Sequence, residues 1–436
     1  MRSVYLLLVY LALLGIGAMA PFVLTLGYMW IDIFQPQTVA FSLLNGGAPI
    51  AMIMGAAAIG GYFVFDRRSP PRASAVTFLT LMLAVWVTLT CLWAAAPEYV
   101  WAKWDWAFKT VLFSAFLPFV IRSRIQIEAF LLVFLFSLSA NFIPFGLKTI
   151  LSGGGYGRQL GLVGRNNGLG EGATLATVCL MSVPIILALR KHSQIIPRNW
   201  FTNLGYFGFV ALAIITAIGT FERTALVGLA VLAVITWVTS RRKILVGALC
   251  AVVALGVAFK TSDAWNTRMS TITSGAEDGS IAVRLAVWKW TYDYALAHPF
   301  GGGFNLYVID NIDLITPSTP TGVTTITNRA FHSIYFEFLG EQGFVGLGLF
   351  LAIATLSFFS LWRVIRRCKD DPQLRWCGEL AKAMLSAMVI LMTCGAFIGI
   401  AFQPFLYYVF ALSLSLREWL YRVETEQVPV LVPALA

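Results

Sequence analysis

The sequence predicts an all-α fold, a polytopic bundle of about twelve transmembrane helices with a large outer loop that itself contains helix. Three observations predict it. Hydrophobic residues make up 58% of the 436 residues and charged residues only 12%, with a mean hydropathy of +0.78. A soluble domain carries about 25% charged residues, so this chain has too few polar groups to cover a core in water. The apolar residues also fall in blocks of about 20, the length a helix needs to cross the hydrocarbon layer. The basic residues, finally, gather in short clusters between the blocks, as the positive-inside rule expects. That distribution, rather than the net charge of +10, argues against a nucleic-acid partner.

The blocks run approximately 2–20, 47–65, 74–96, 107–122, 126–147, 170–189, 203–219, 224–239, 243–260, 331–362, 378–397 and 402–420. The first follows Arg2 and ends in Ala18-Met19-Ala20, like a secretory leader. Pro21 directly after the cleavage point disfavours cutting, so an uncleaved first span is expected. Residues 21–44 are apolar but interrupted by Pro21 and Pro36. Counting them as a span would place Arg67-Arg68 outside, so a re-entrant or interfacial stretch on the outer side is expected. The clusters Arg67-Arg68-Arg72, Arg122-Arg124, Arg190-Lys191-Arg198, Arg241-Arg242-Lys243 and Arg363-Arg366-Arg367-Lys369 then lie in the cytoplasm together with both termini. That side holds 20 of the 31 Lys and Arg residues.

The chain reads as one membrane domain, 1–436, with two long outer segments. One is the Gly/Arg-rich stretch 148–169. The other is 261–330, with a helix near 281–297 that begins at Ser280 and stops at Pro299 and Gly301-Gly302-Gly303. Ile281, Leu285, Trp288 and Tyr292 recur on one face of it, and that face is expected to rest on the membrane or cap the bundle. Six cysteines show no C-x-x-C pair and no Cys/His cluster, which disfavours a disulfide framework and a metal site.

The outer arginines are the first chemical candidates: Arg158 and Arg165 in the glycine-rich stretch, Arg223 in the short turn Gly219-Thr220-Phe221-Glu222-Arg223-Thr224, and Arg284 on the loop helix. Arginine suits phosphate because its planar fork donates two parallel hydrogen bonds and keeps its charge. The plainer alternative is contact with lipid headgroups, or pairing with Glu222, Glu277 or Asp278. Of three histidines, His192 lies in a basic loop. His298 sits at a helix end, where a cation is favoured by the terminal carbonyls. His332 opens a long apolar span at the outer face. It is either structural or, should it meet Arg284 in space, a general base. Glu337 and Glu341 follow on the same helix, each able to orient an arginine or to pack by hydrogen bonding. Tyr335 lies closer to the face of His332. The runs Gly153-Gly154-Gly155 and Gly168-x-Gly170-x-Gly172 are neither a P-loop nor a dinucleotide fingerprint.

The ordered set Gly164-Arg165-Asn166-Asn167, Arg223-Thr224, Arg284-x-x-x-Trp288, His298-Pro299-x-Gly301-x-Gly303, His332-x-x-Tyr335 and Glu341-x-Gly343-x-x-Gly346 resembles the O-antigen ligase and polymerase superfamily over about residues 155–400. The first 150 residues resemble the N-terminal region of a ligase-like subgroup. Many members have Asn after the histidine, whereas Ser333 follows here. The resemblance implies an inverting, metal-independent glycosyltransferase of the bacterial inner membrane, working on the periplasmic side without a cofactor. Its donor would be a glycan on undecaprenyl pyrophosphate and its acceptor lipid A-core, as in a lipopolysaccharide O-antigen ligase. Relatives that polymerise O-antigen or glycosylate proteins share the pattern. His332 would be the general base. Arg165, Arg223, Arg284 and Arg158 would hold the pyrophosphate, supported by Tyr335, Glu222 and Glu341. A lipid-linked glycan flippase is the rival from another class; it predicts ionisable residues deep in the membrane and related halves.

Overall fold

The computed structural model describes residues 2–40, 49–68, 70–152, 169–240, 242–244, 247–248, 279–315 and 323–425. The helices are α1 (Arg2–Met19), α2 (Pro21–Phe34), α3 (Pro36–Val39), α4 (Ile50–Phe65), α5 (Ala75–Leu89), α6 (Pro97–Val120), α7 (Arg124–Ser152), α8 (Gly172–His192), α9 (Trp200–Gly219), α10 (Arg223–Thr239), α11 (Gly279–Ala297), α12 (Ile334–Arg367), α13 (Arg375–Gly395) and α14 (Pro404–Thr425). Among the described residues, seven helices are long and apolar enough to cross a membrane: α1, α5 with its short extension to Trp93, α7, α8, α9, α12 and α13. Helices α2, α4 and α10 are shorter but apolar. The expected span 243–260 lies almost wholly outside the described residues, as does most of the loop 148–169. The bundle centres on α8, most of whose side chains are buried, with α9, α10 and α13 packed around it.

The basic clusters meet at one end of the bundle. Arg68 reaches Gln126 and the Val120 carbonyl, Arg124 donates to the His192 carbonyl at 2.6 Å, and Arg72 pairs with Glu418 at 3.2 Å. The Glu128 carboxylate, buried on α7, accepts from the Gln194 and Ile195 amides and from the Ser193 hydroxyl. It thereby pins the α8–α9 turn to this end.

The N-terminal segment departs from the expected path. Ala20 and Pro21 line the same cleft as Asp66, Arg67 and Arg68, so α2 starts at the basic end rather than opposite it. From there α2 runs antiparallel to α4, with Gly27 against Met54, Gly55 against Tyr28 and Gly61 against Pro21. Small residues allow this close approach. The far end of α2 carries Asp32, whose carboxylate accepts from the Tyr408 hydroxyl near the start of α14. Helix α1 folds back along the pair, and the Tyr10 hydroxyl donates to the Ile50 carbonyl at 3.4 Å. Residues 21–34 therefore run from the basic end into the bundle and are not a stretch confined to its far face. The described chain begins at the far end and finishes at the basic end, where Glu424 meets Arg367 at 2.6 Å. The expectation followed from placing the start of α1 at the basic end. With α1 starting at the far end, α2 and α4 go out and return, and Arg67-Arg68 still lie with the other basic clusters. Pro21 sits at the first position of α2, where proline opens a helix well.

The loop helix α11 covers the expected residues. A two-stranded antiparallel hairpin, β1 (Asn311–Ile315) with β2 (Val323–Thr327), follows it, with Ile312 opposite Ile326. The inward face of α11 is Val287, Thr291 and Ala295, all buried, and Val287 packs with Leu306, Ile312 and Phe331 into a small second core. Of the expected face only Trp288 turns inward. Ile281, Leu285 and Tyr292 are about half exposed. Position 288 lies between the two stripes, so the apolar spacing alone did not single out the packed side.

Candidate active site

The site is built around the start of α12, at the end of the bundle away from the basic loops. Helix α12 is broken at Gly343, whose backbone is left-handed (φ 68°). The break frees the preceding carbonyls. The Gly302 and Gly303 amides donate to Gly340 and Glu341, each at 2.9 Å, and the Trp86 indole donates to Gln342 at 2.8 Å. In return the Phe344 amide donates to Pro299 at 3.0 Å. A Cβ on Gly343 would collide with the Pro299 carbonyl, and one on Gly301 (φ 82°) with the Gly343 amide. The motifs His298-Pro299-x-Gly301-x-Gly303 and Glu341-x-Gly343-x-x-Gly346 are thus the two halves of one backbone joint. Alanine at 343 meets both the clash and the left-handed backbone; the backbone strain alone costs on the order of 1–3 kcal/mol. We expect G343A to melt several degrees lower in detergent, and an unchanged melting temperature would contradict the joint.

Beneath the joint lies a buried charge cluster. Lys103 of α6 donates to Glu337 at 2.6 Å and to both oxygens of Glu341 at 2.7 and 2.8 Å. Glu341 also accepts from the Asn305 amide at 2.9 Å, and Glu337 from the Ala401 amide at 3.1 Å. One lysine and two carboxylates therefore tie together α6, α12, the segment after the glycines and the α13–α14 turn. The sequence reading left Glu337 and Glu341 either to orient an arginine or to pack by hydrogen bonds. Their partner is a lysine that the reading did not consider. A signal existed: position 103 falls one turn from Val100 and from Ala107, both fully buried, so the lysine lies on the inward face of α6. A cation there requires buried counter-charges.

His332 stands just before the helix, with Ser333 as the N-cap residue of α12. Its backbone is left-handed (φ 49°), uncommon for a residue with a side chain and of the kind that gathers at functional sites. Trp288 fixes the neighbourhood. Its indole donates to the Phe331 carbonyl at 2.8 Å and its ring stacks on Phe336 at 5.0 Å. The helix carrying Arg284 is thereby seated against the residue preceding His332, with Arg284 one turn away from Trp288. Burial pushes the Arg284 guanidinium below the usual arginine range; Glu222 and Glu171 pull it back up, and Arg223 depresses it further. Burial likewise raises the Glu171 carboxyl, against a hydrogen bond from Thr174 at 3.0 Å and the charge of Arg284. Arg284 thus feels the charges of Glu222, Arg223 and Glu171, and Glu171 feels those of Arg284 and Glu222.

The remaining candidates divide. Arg158 and Arg165 lie outside the described residues. Arg223 is the first residue of α10, and Glu222 is its N-cap residue. The Tyr335 hydroxyl donates to the Met392 carbonyl at 2.9 Å and so joins α12 to α13. The His298 ring lies over Tyr294, with Nδ1 3.2 Å from the Tyr294 carbonyl, the helix-end position expected of it.

Residues 208–351, which hold Arg223, Arg284, His298 and His332, match the family described as O-antigen ligase. Over this region the sequence is similar to that family, which supports kinship with the O-antigen ligase and polymerase superfamily. The match points to a glycosyltransferase-like enzyme with membrane and lipid-linked glycan involvement. Residues 1–194 match a family of unknown function. No curated protein matches the chain. The two matched regions are joined at the site. Lys103 belongs to the first and its carboxylate partners to the second, as do Trp86 and Gln342. The Trp93 indole donates to Gly301 at 3.2 Å, the Ala95 amide to Gly302 at 2.8 Å and the Asn305 side-chain amide to Tyr99 at 2.7 Å. The N-terminal region thus supplies the wall on which the superfamily motifs are built.

Proposed function

We propose that this protein transfers a glycan from a polyprenyl pyrophosphate to an acceptor hydroxyl at the α12 end of the bundle, with lipid A-core as the acceptor, as an O-antigen ligase. The observation that carries the reading is the seating of Arg284 by Trp288 against the residue before His332, with the charge of Arg223 felt at Arg284. An acceptor hydroxyl is a poor nucleophile. His332 takes its proton as the oxygen attacks the anomeric carbon. The bond to the pyrophosphate breaks on the opposite face, so the configuration inverts. A pyrophosphate diester is acidic enough to leave without a proton. What it requires is positive charge that interacts more strongly as the bond breaks, and Arg284 and Arg223 supply it, with Arg165 and Arg158 assigned the same task. Helices α8, α10 and α12 begin near this point, and the side chains of Glu171, Glu222 and Ser333 do not cap their own helices. Helix N-termini favour anions, which supports the same polarity. In this reading the site faces the periplasm of the bacterial inner membrane, the basic end faces the cytoplasm, and the polyprenyl tail lies against the spans.

Arg284→Lys keeps the charge but loses the two-pronged fork. Transfer should fall about tenfold or more, the value of one charge-assisted hydrogen bond, when lipid-linked glycan and acceptor are supplied to the purified protein. An unchanged rate would remove Arg284 from the pyrophosphate. Deleting the gene decides the acceptor. Loss of glycan from lipid A-core supports ligase action. Shortened chains, or loss from proteins, would assign the same site to polymerisation or protein glycosylation.

A further inference from the structure

The basic end holds a feature that the glycosyl-transfer reading does not use. Five arginines from three segments line one cleft: Arg72 before α5, Arg363, Arg366 and Arg367 at the end of α12, and Arg417 on α14. The cleft measures about 590 Å³ and is walled by Trp362, Leu420 and Tyr421. Two of the guanidinium groups sit over aromatic rings, Arg72 over Tyr421 at 3.1 Å and Arg366 over Trp362 at 3.6 Å. Stacking of this kind holds the plane of the fork and leaves its N–H edge for an anion.

The carboxylates at hand are too few for these cations. Glu424 pairs with Arg367 at 2.6 Å. Glu418 is shared between Arg72 at 3.2 Å and Arg422 at 3.6 Å. Arg363, Arg366 and Arg417 have no ion pair among the described residues, and the buried Nε of Arg417 has no hydrogen-bond partner there. The positive-inside rule accounts for arginines at this end of the protein. It does not account for their gathering in one aromatic-walled cleft, where like charges repel. That arrangement needs an anion with more than one negative charge and an apolar part to meet Trp362 and Leu420.

We propose that this cleft binds the phosphates of an anionic membrane lipid, a headgroup with two phosphates being held more tightly than one with a single phosphate. Basic pockets between spans, at the membrane boundary, have the chemistry for such headgroups. The acyl chains would run along the exposed side of α12, past Phe358 and Phe359, and the phosphates would receive the N–H edges of Arg366, Arg363 and Arg417.

The test uses the purified full chain in neutral detergent, melted in the presence of phosphatidylcholine, phosphatidylglycerol, cardiolipin or inorganic phosphate at equal phosphate concentration. Cardiolipin should raise the melting temperature most, phosphatidylglycerol less, and phosphatidylcholine and inorganic phosphate least. In R363Q/R366Q, where both side chains are exposed and folding should persist, the apparent affinity for cardiolipin should fall about tenfold or more. K382Q, which removes an exposed cation paired with Glu379 outside the cleft, should respond as the parent does. An equal response to phosphatidylcholine, or an undiminished cardiolipin response in R363Q/R366Q, would overturn the proposal. An equal response to inorganic phosphate would assign the cleft to free phosphate and overturn the lipid.

Discussion

Replacing His332 by alanine should abolish glycan transfer, lowering the rate by about 10²–10⁴, the usual worth of a positioned general base. Membrane insertion and donor binding should persist, because the arginines that hold the pyrophosphate are untouched. Alanine tolerates the left-handed backbone at 332 poorly, so part of any loss could come from the local fold. His332→Asn removes that ambiguity, since asparagine accepts such a backbone readily yet cannot take a proton near neutral pH. Both variants should be inactive, with bound lipid-linked donor still recoverable from the purified protein. A parent-like rate for the asparagine variant would exclude His332 as the base and leave it a structural residue at the mouth of α12.

The second large effect belongs to Lys103. Methionine at this position keeps most of the side-chain volume and removes the charge, leaving Glu337 and Glu341 buried side by side. Breaking a buried ion pair from one side costs about 3–5 kcal/mol, enough to lower the yield of folded protein severely. The triple variant K103M/E337Q/E341Q removes the unpaired charges, and replacing a whole buried pair by neutral groups is often close to neutral. Melting curves should therefore show K103M far below the parent and the triple variant largely recovered. A K103M protein as stable as the parent would mean that the carboxylates find protons or other partners without Lys103.

How much was legible in the sequence depended on whether a feature was local. Apolar blocks marked α1, α4 to α10 and α12 to α14 as helices, and of these α1, α5, α7, α8, α9, α12 and α13 are long and apolar enough to cross a membrane. The loop helix was marked by its own periodicity and stop signals. The hairpin after it was not read, although Val323–Thr327 is wholly β-branched and Ile312 and Leu314 alternate with polar residues, a strand signal confined to five residues each. The path of residues 21–34 depended on which end α1 starts from, and charge counting alone placed that start at the basic end; only the three-dimensional course of α1 and α2 showed otherwise. At the candidate site, Arg223, Arg284 and His332 stood out because the positive-inside rule and the apolar pattern left them unexplained. Trp288 was noted for its place on a stripe, and its seating of Arg284 depended on a hydrogen bond to a carbonyl 43 residues away. Lys103 and its carboxylates are 234 and 238 residues apart, and no spacing rule reaches that far.

The knitting of the Lys103 region into the α12 joint has a consequence for descent. The matched regions end and begin at residues 194 and 208, as though the chain were two modules. No such seam exists at the site. A recombination that exchanged only the C-terminal module would strand Lys103, Trp86 and Trp93 without partners unless the incoming half brought its own Glu337, Glu341 and glycine joint. Either half moved alone would thus be expected to lose the site's buried charges and its glycine joint, whatever the activity of the first.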